Sequence, residues 1–384
     1  MPGITRTHVS DARGASRLLL EGSASVVNVV ERMHRTIQRR PWPVGQPVQE
    51  ATRGITGFVY RSIRGSMHLL ARGLDASLAP LEGLLPAGEP APSREALVSI
   101  VNGVYGDHLA RTGNPLAIEM TLVGGGEAFD AAAPTGKLLV LAHGLCMGVQ
   151  QWTHEGYSHG AALADALGYT PLYLRYNSGL HIAENGRLLA EQLEKLVAQW
   201  PRPVEELTIL GHSMGGLVAR SACLAAAERQ HRWLGALRRL VFLGTPHNGA
   251  PLERGGHGLD YLLGLSPYSA PFTRLGKARS AGIQDLRHGT LTAGGHQSVR
   301  LPAGVACYAV AATLGERRAP LADRVVGDGL VPLDSALGRH PDRSRALRIP
   351  KARRWIGFQM GHLELLHRPE VYSQLHDWLA TPVA

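Results

Sequence analysis

The chain has 384 residues, 44% of them hydrophobic and 18% charged, which supplies a large buried core and argues against a disordered chain. Its formal charge of +9 sits at the front: the first 72 residues carry eleven arginines against four acids, and the rest is close to neutral. Paired CxxC and aromatic RNP patterns are absent, so no nucleic-acid partner is expected, and three cysteines (Cys146, Cys223, Cys307) suit neither a disulfide framework nor a structural zinc site.

No apolar run approaches the roughly 18 residues needed to cross a bilayer, and Met1–Leu20 lacks the apolar stretch of a secretory signal. A cytoplasmic location is expected. Residues 1–50 show weak periodicity and end in a linker with Pro41, Pro43 and Pro47. Ile55, Phe58, Val59, Ile63, Met67, Leu70 and Leu74 then fall at helical spacing among arginines. Such a stripe could lie on anionic lipid as a peripheral membrane contact, or pair with a second copy as a homo-oligomer. Gly54, Gly57, Gly65 and Gly73 weaken it as an isolated helix and favour packing on the main domain. A second Pro-rich linker spans 85–92, so residues 1–92 are expected to be a helical extension and 93–384 the main domain.

A helix is predicted over about 94–110, then a strand over 116–123 running into Gly124-Gly125-Gly126. Strands follow at 137–142, 170–176, 207–210, 240–244 and 305–313, with helices at 182–200, 216–229 and 369–379. Strands that are continuous apolar runs, alternating with helices, imply a mainly parallel sheet covered on both faces. Residues 249–300 break this rhythm and are too long for a simple connection, so they read as an inserted cap or lid. Leu262 and Leu263 belong to an apolar set in that insert that could wall an acyl pocket.

The sharpest motif is Gly211-His212-Ser213-Met214-Gly215-Gly216, a G-x-S-x-G directly between a predicted strand and a predicted helix. A tight turn there lifts the serine hydroxyl to a helix N-terminus, where backbone N–H groups favour negative charge. A serine hydroxyl needs a base, held in turn by a carboxylate, and in the fold that carries such an elbow the chain order is nucleophile, acid, histidine. His362, in Met360-Gly361-His362-Leu363, lies shortly before the last helix and is the candidate base. Asp323, Asp328 and Asp334 are the candidate acids, and Asp328 leads because Gly327 and Gly329 suit a turn that presents it. The oxyanion needs two N–H donors, expected from Met214 and from Leu145 in the loop His143-Gly144-Leu145, with His143 beside the substrate.

From about Lys137 onward the chain resembles bacterial lipases and the related inositol-deacylase-like α/β-hydrolases. The resemblance rests on His143-Gly144-Leu145, the elbow, Gly244-Thr245-Pro246-His247-Asn248-Gly249, Asp328-Gly329-Leu330-Val331 and Gly361-His362-Leu363. It implies an α/β-hydrolase fold, Asp328 as acid, His362 as base, and His247 as a structural neighbour of the site. Some of these lipases hold calcium through an Asp soon after the base. Here Glu364 stands at that place, so no metal and no cofactor are expected. The expected activity is carboxylic ester hydrolysis, on an acyl ester or lipid, through an acyl-enzyme. The alternatives are an acyltransferase using the same triad and an idle hydrolase-like scaffold.

Overall fold

The computed structural model describes residues 9–21, 92–124, 134–250, 280–295, 299–316 and 327–382, together with Thr7 and isolated positions between 62 and 77. The chain divides into two compact units, Met1–Ala91 with Arg111–Leu116, and Pro92–Ala110 with Ala117–Ala384.

In the larger unit, helix α1 (Pro92–Arg111, of which residues to Ala110 belong here) precedes a seven-stranded sheet. Its strands are β1 (Thr121–Gly124), β2 (Lys137–Ala142), β3 (Thr170–Arg175), β4 (Glu206–His212), β5 (Leu237–Leu243), β6 (Ala306–Thr313) and β7 (Arg354–Phe358). The order is β1-β3-β2-β4-β5-β6-β7, with β1 antiparallel to β3 and every other pair parallel. The connecting helices are α2 (His159–Leu167), α3 (Ile182–Gln199), α4 (Met214–Glu228), α5 (Ala281–His288), α6 (Leu333–Ala336) and α7 (Pro369–Ala380).

Alternation along each strand builds two cores. Leu138, Val140, Leu207, Ile209, Leu240 and Phe242 pack with α3 and α4, whereas Leu139, Leu141, Leu210, Val241 and Leu243 pack with α2 and α7. Every one of these strand residues is sealed from solvent, which is why the strands read as unbroken apolar runs. The chain turns one way from β2 to β3 and the other way from β4 onward. Right-handed crossovers therefore place α2 on one face and α3 and α4 on the other. That reversal leaves a crevice at the carboxyl ends of β2 and β4, where open α/β sheets bind ligands.

The predicted strand over 116–123 shrinks to β1 at Thr121–Gly124. Leu116, Ile118 and Met120 are buried in alternation, as the pattern implied. Their backbone donors go elsewhere: Leu116 N–H to Asn114 Oδ1 and Ile118 N–H to Asn102 Oδ1, both at 2.9 Å. Helices α2, α5 and α6 and strand β7 escaped the sequence reading. Of the insert, α5 is helical and capped by Ser280, whose Oγ accepts from the Ile283 N–H. Leu262 and Leu263 lie outside the described residues.

In the smaller unit the backbone over 9–21 is helical, although periodicity over 1–50 is weak. Asn114 donates to the Gly14 carbonyl at 3.1 Å and Arg17 to the Gly113 carbonyl at 3.0 Å. The described positions between 62 and 73 are helical, and Ile63 and Leu70 of the predicted stripe are exposed. Among the described residues no helix is long and apolar enough to cross a membrane.

Helices α3 and α4 meet at Gly186, where a Cβ would lie 2.3 Å from Ser221 Oγ and 2.8 Å from its carbonyl carbon. Alanine in a helix interior normally gains about 1 kcal/mol over glycine. Here overpacking of about 1–3 kcal/mol opposes that gain and exceeds it. Gly186→Ala is therefore expected to lower the melting temperature by several degrees. A rise on thermal unfolding would mean that the two helices do not approach this closely.

Candidate active site

β4 ends in the elbow. Ser213 takes φ 52° and ψ −121°, a region that L-residues avoid, and α4 begins at the next residue. The turn closes because its flanks carry no side chains: at Gly211 a Cβ would lie 2.5 Å from the Gly216 backbone, and at Gly215 2.1 Å from the Ala142 carbonyl oxygen. The Ser213 N–H is fastened to the Leu243 carbonyl at 2.8 Å.

Asp328 and His362 meet beside this turn. Gly327 and Gly329 both have positive φ, and at Gly327 a Cβ would strike the Val331 carbonyl oxygen at 1.9 Å. The loop thereby turns the fully buried Asp328 carboxylate inward. Its Oδ1 accepts from the Leu330 and Val331 N–H groups at 3.0 and 2.8 Å, and its Oδ2 pairs with His362 Nδ1 at 2.7 Å. A carboxylate that accepts on both oxygens makes Nδ1 the protonated ring nitrogen and leaves the lone pair on Nε2. Among the described residues Nε2 has no hydrogen-bond partner, Ser213 included. Asp334, by contrast, is exposed in α6 and pairs with Arg339, while Asp323 lies outside the described residues.

His212, which no motif singled out, supports the segment that carries His362. Its Nε2 donates to the His362 carbonyl at 3.1 Å, the rings lie 4.6 Å apart, and burial drives its pKa well below the usual histidine range. It stays neutral and so does not compete for the proton. Only its position next to the elbow serine could have flagged it. Glu364 caps the turn that carries His362: Oε2 accepts from the Gly361 N–H at 2.6 Å, and Oε1 pairs with Arg368.

The loop after β2 lies against the elbow, since at Gly144 a Cβ would sit 3.2 Å from Ser213 Cβ. His143 is buried, stacked on Tyr176, and pushed down to about 4 by burial, which outweighs its bond to the Gly144 carbonyl. Tyr176 Oη donates to the His143 carbonyl at 2.8 Å, fixing the loop. Cys146 has φ 58° and donates its N–H to Ser178 Oγ at 3.1 Å. Among the described residues neither the Leu145 nor the Met214 N–H has an acceptor. His247 Nδ1 lies 3.3 Å from Arg220 Nη1.

A mainly parallel sheet covered on both faces, a strained serine turn after the central strand and a buried His–Asp pair before the last helix decide the architecture. This is an α/β-hydrolase fold. The PGAP1-like alpha/beta domain family matches residues 134–303, which include the elbow and the loop after β2 but neither Asp328 nor His362. No curated protein matches the chain. Among solved structures, a Bacillus licheniformis lipase in its mature form is 18% identical with a TM-score of 0.44, over 68% of this chain and 98% of the lipase. The propeptide form of that lipase is 20% identical with a TM-score of 0.43, over 67% of this chain and 53% of that one. A lipase from Aspergillus fumigatus is 14% identical with a TM-score of 0.41, over 71% of this chain and 58% of that one. At such distances the chemistry of this α/β-hydrolase fold has to be read from its own residues.

The Asp328–His362 pair has a signature independent of activity. The Nδ1 proton, shared with a buried carboxylate, is shielded from exchange and strongly deshielded magnetically, so a far-downfield imidazole resonance is expected in proton NMR. Asp328→Ala should abolish it and Asp334→Ala should leave it. The opposite pattern would make Asp334 the carboxylate partner of His362.

Proposed function

We propose that the chain is a serine carboxylic ester hydrolase of the lipase and inositol-deacylase-like kind. The observation that carries this reading is His362, whose Nδ1 is held by a buried carboxylate while its Nε2 lone pair is unengaged beside the serine turn. In the proposed reaction Ser213 Oγ attacks the ester carbonyl carbon as its proton passes to His362 Nε2. Asp328 stabilises the imidazolium that forms. The Leu145 and Met214 N–H groups receive the oxyanion, and the helix N-terminus behind Met214 adds to that field. Collapse expels the alcohol, which takes the proton from His362. Water, activated by the same imidazole, then releases the acid and restores Ser213.

A Ser213 Oγ–Nε2 contact that is open in the free enzyme is compatible with this role, because catalytic hydrogen bonds commonly tighten only with substrate bound. His143, with an unpartnered Nε2 at the loop, is proposed to contact substrate. We assign residues 1–92 to a helical extension, 93–384 to the hydrolase domain, and 249–300 to a cap whose Leu262 and Leu263 contact the acyl chain.

Fluorophosphonate treatment followed by mass spectrometry is expected to place one adduct on the peptide bearing Ser213. Ser213→Ala should lose on the order of 10³-fold or more in kcat, keeping a residue of rate from binding and the oxyanion donors. Undiminished esterase activity in folded Ser213→Ala, or an adduct elsewhere, would refute the assignment. Asp328→Asn should also cost on the order of 10³-fold or more while the protein stays folded.

Over p-nitrophenyl esters from acetate to palmitate, Leu262→Ser with Leu263→Ser should penalise long chains more than acetate, since each lost methylene contact is worth about 0.8 kcal/mol. A uniform penalty would make the insert a structural cover instead.

A further inference from the structure

On the face of the sheet that carries α3 and α4 lies a cavity of about 980 Å³, and none of Ser213, Asp328 or His362 lines it. Arg220, from the second turn of α4, and His247, from the segment after β5, contribute buried side chains to its wall. Arg220 Nη2 donates to the Val299 carbonyl at 2.7 Å, and Nη1 lies 3.3 Å from His247 Nδ1. A guanidinium can only donate, so His247 Nδ1 is the acceptor and the ring proton of the neutral imidazole is on Nε2. Burial holds this histidine neutral, and the adjacent guanidinium adds to the effect. The Arg220 Nε–H and the His247 Nε2–H are thus two buried donors, and neither has an acceptor among the described residues.

Nor does Arg220 form an ion pair with a carboxylate among the described residues, although it is 5% exposed. A buried cation without a counter-charge is costly and is ordinarily paired. Towards solvent the wall continues the same sign. Its lining counts six arginines and a single carboxylate, Asp342, which already accepts the Ser344 N–H at 2.9 Å. Arg343, Arg345 and Arg348 are exposed. Buried donors, an unpaired cation and a positive entrance match a ligand rich in acceptors and bearing more than one negative charge. The volume is that of an organic ligand site rather than a seat for a bare ion.

We propose that this cavity binds a phosphate-bearing ligand, its phosphate oxygens accepting from Arg220 and His247. Such a site goes beyond ester hydrolysis and stands or falls separately from it.

The test is thermal unfolding of the full chain with 10 mM inorganic pyrophosphate against sodium chloride of equal ionic strength. Ligand that binds only the native state raises the melting temperature, here by about 3 °C or more. Arg345→Glu with Arg348→Glu, both on the surface, should unfold within about a degree of the wild type in chloride yet lose the rise. Arg220→Gln should lose it too, and if that variant does not fold, the surface pair decides. Ser213→Ala should keep the full rise, which separates this site from the proposed catalytic one.

Sedimentation with phosphatidylcholine vesicles containing phosphatidic acid distinguishes the source of the phosphate. Binding that the surface pair of substitutions abolishes identifies a lipid headgroup, whereas a pyrophosphate response without it identifies a soluble ligand. The proposal is overturned if neither probe acts beyond chloride, or if both responses survive the Arg345→Glu, Arg348→Glu protein.

Discussion

The N-terminus of α4 meets the end of β2 with no room for a side chain between them. A Cβ at Gly215 would lie 2.1 Å from the Ala142 carbonyl oxygen, and one at Gly216 2.0 Å from Thr245 Oγ1. This contact sets the positions of the parts around it. It brings the first N–H groups of α4 alongside the 143–146 loop, and it forces the chain to turn at Ser213 within one residue. A non-glycine residue at φ 52° stores of order 1–3 kcal/mol of strain, which the flanking strand and helix have to over-determine. They do so because β4 is the middle strand of the sheet, paired with β2 on one side and β5 on the other. The same sheet end is the point where the topology reverses, so the strained turn and the crevice coincide.

Buried charge is handled in two ways in this molecule. Where a carboxylate is fully buried it is saturated, Asp328 by two backbone N–H groups and an imidazole, and the half-buried Glu206 accepts from Tyr169, Thr208 and Arg239. Glu95 likewise pairs with Arg94 and Arg175. Histidines around the serine turn and behind it, His143, His212 and His247, are kept neutral by burial. Against that background Arg220 is out of pattern, a buried cation on the very helix that the elbow launches. One helix thus connects two places of unusual electrostatics, the serine turn at its start and the arginine-lined cavity nearly two turns on.

Helix α1 has a structural role that its sequence does not advertise. At Gly103 a Cβ would lie 2.3 Å from Cys146 Sγ, and at Gly106 1.8 Å from Asn177 Oδ1, so the helix presses its glycines onto the loops that follow β2 and β3. The Gly103 carbonyl accepts from Ser280 Oγ at 2.7 Å, and Asp285 Oδ2 in α5 accepts the Ile182 N–H at 2.9 Å. These contacts hold the loop with the left-handed Cys146 in place from outside the sheet. An α1 made of weak helix formers such as glycine is tolerable because packing, rather than propensity, maintains it.

The sequence by itself determined the strand–helix alternation and the glycine-flanked elbow, because each of these is written locally. A two-residue or 3.6-residue period, or a glycine flanking a turn, follows from the covalent geometry of neighbouring residues. Even the alternation at 116–120 was true as burial, and failed only as strand, because Asn102 and Asn114 supply acceptors that local pattern cannot reveal. Short β7 and the single-turn α6 carry too few residues for a period to register. Tertiary structure alone decided that His212 donates to the His362 carbonyl and that Arg220 is buried beside His247, and it brought Asp328, which the sequence already favoured over Asp334, onto His362. Those pairings join residues between 27 and 150 positions apart. Their meeting depends on strand order and on how closely helices pack, and spacing along the chain encodes neither.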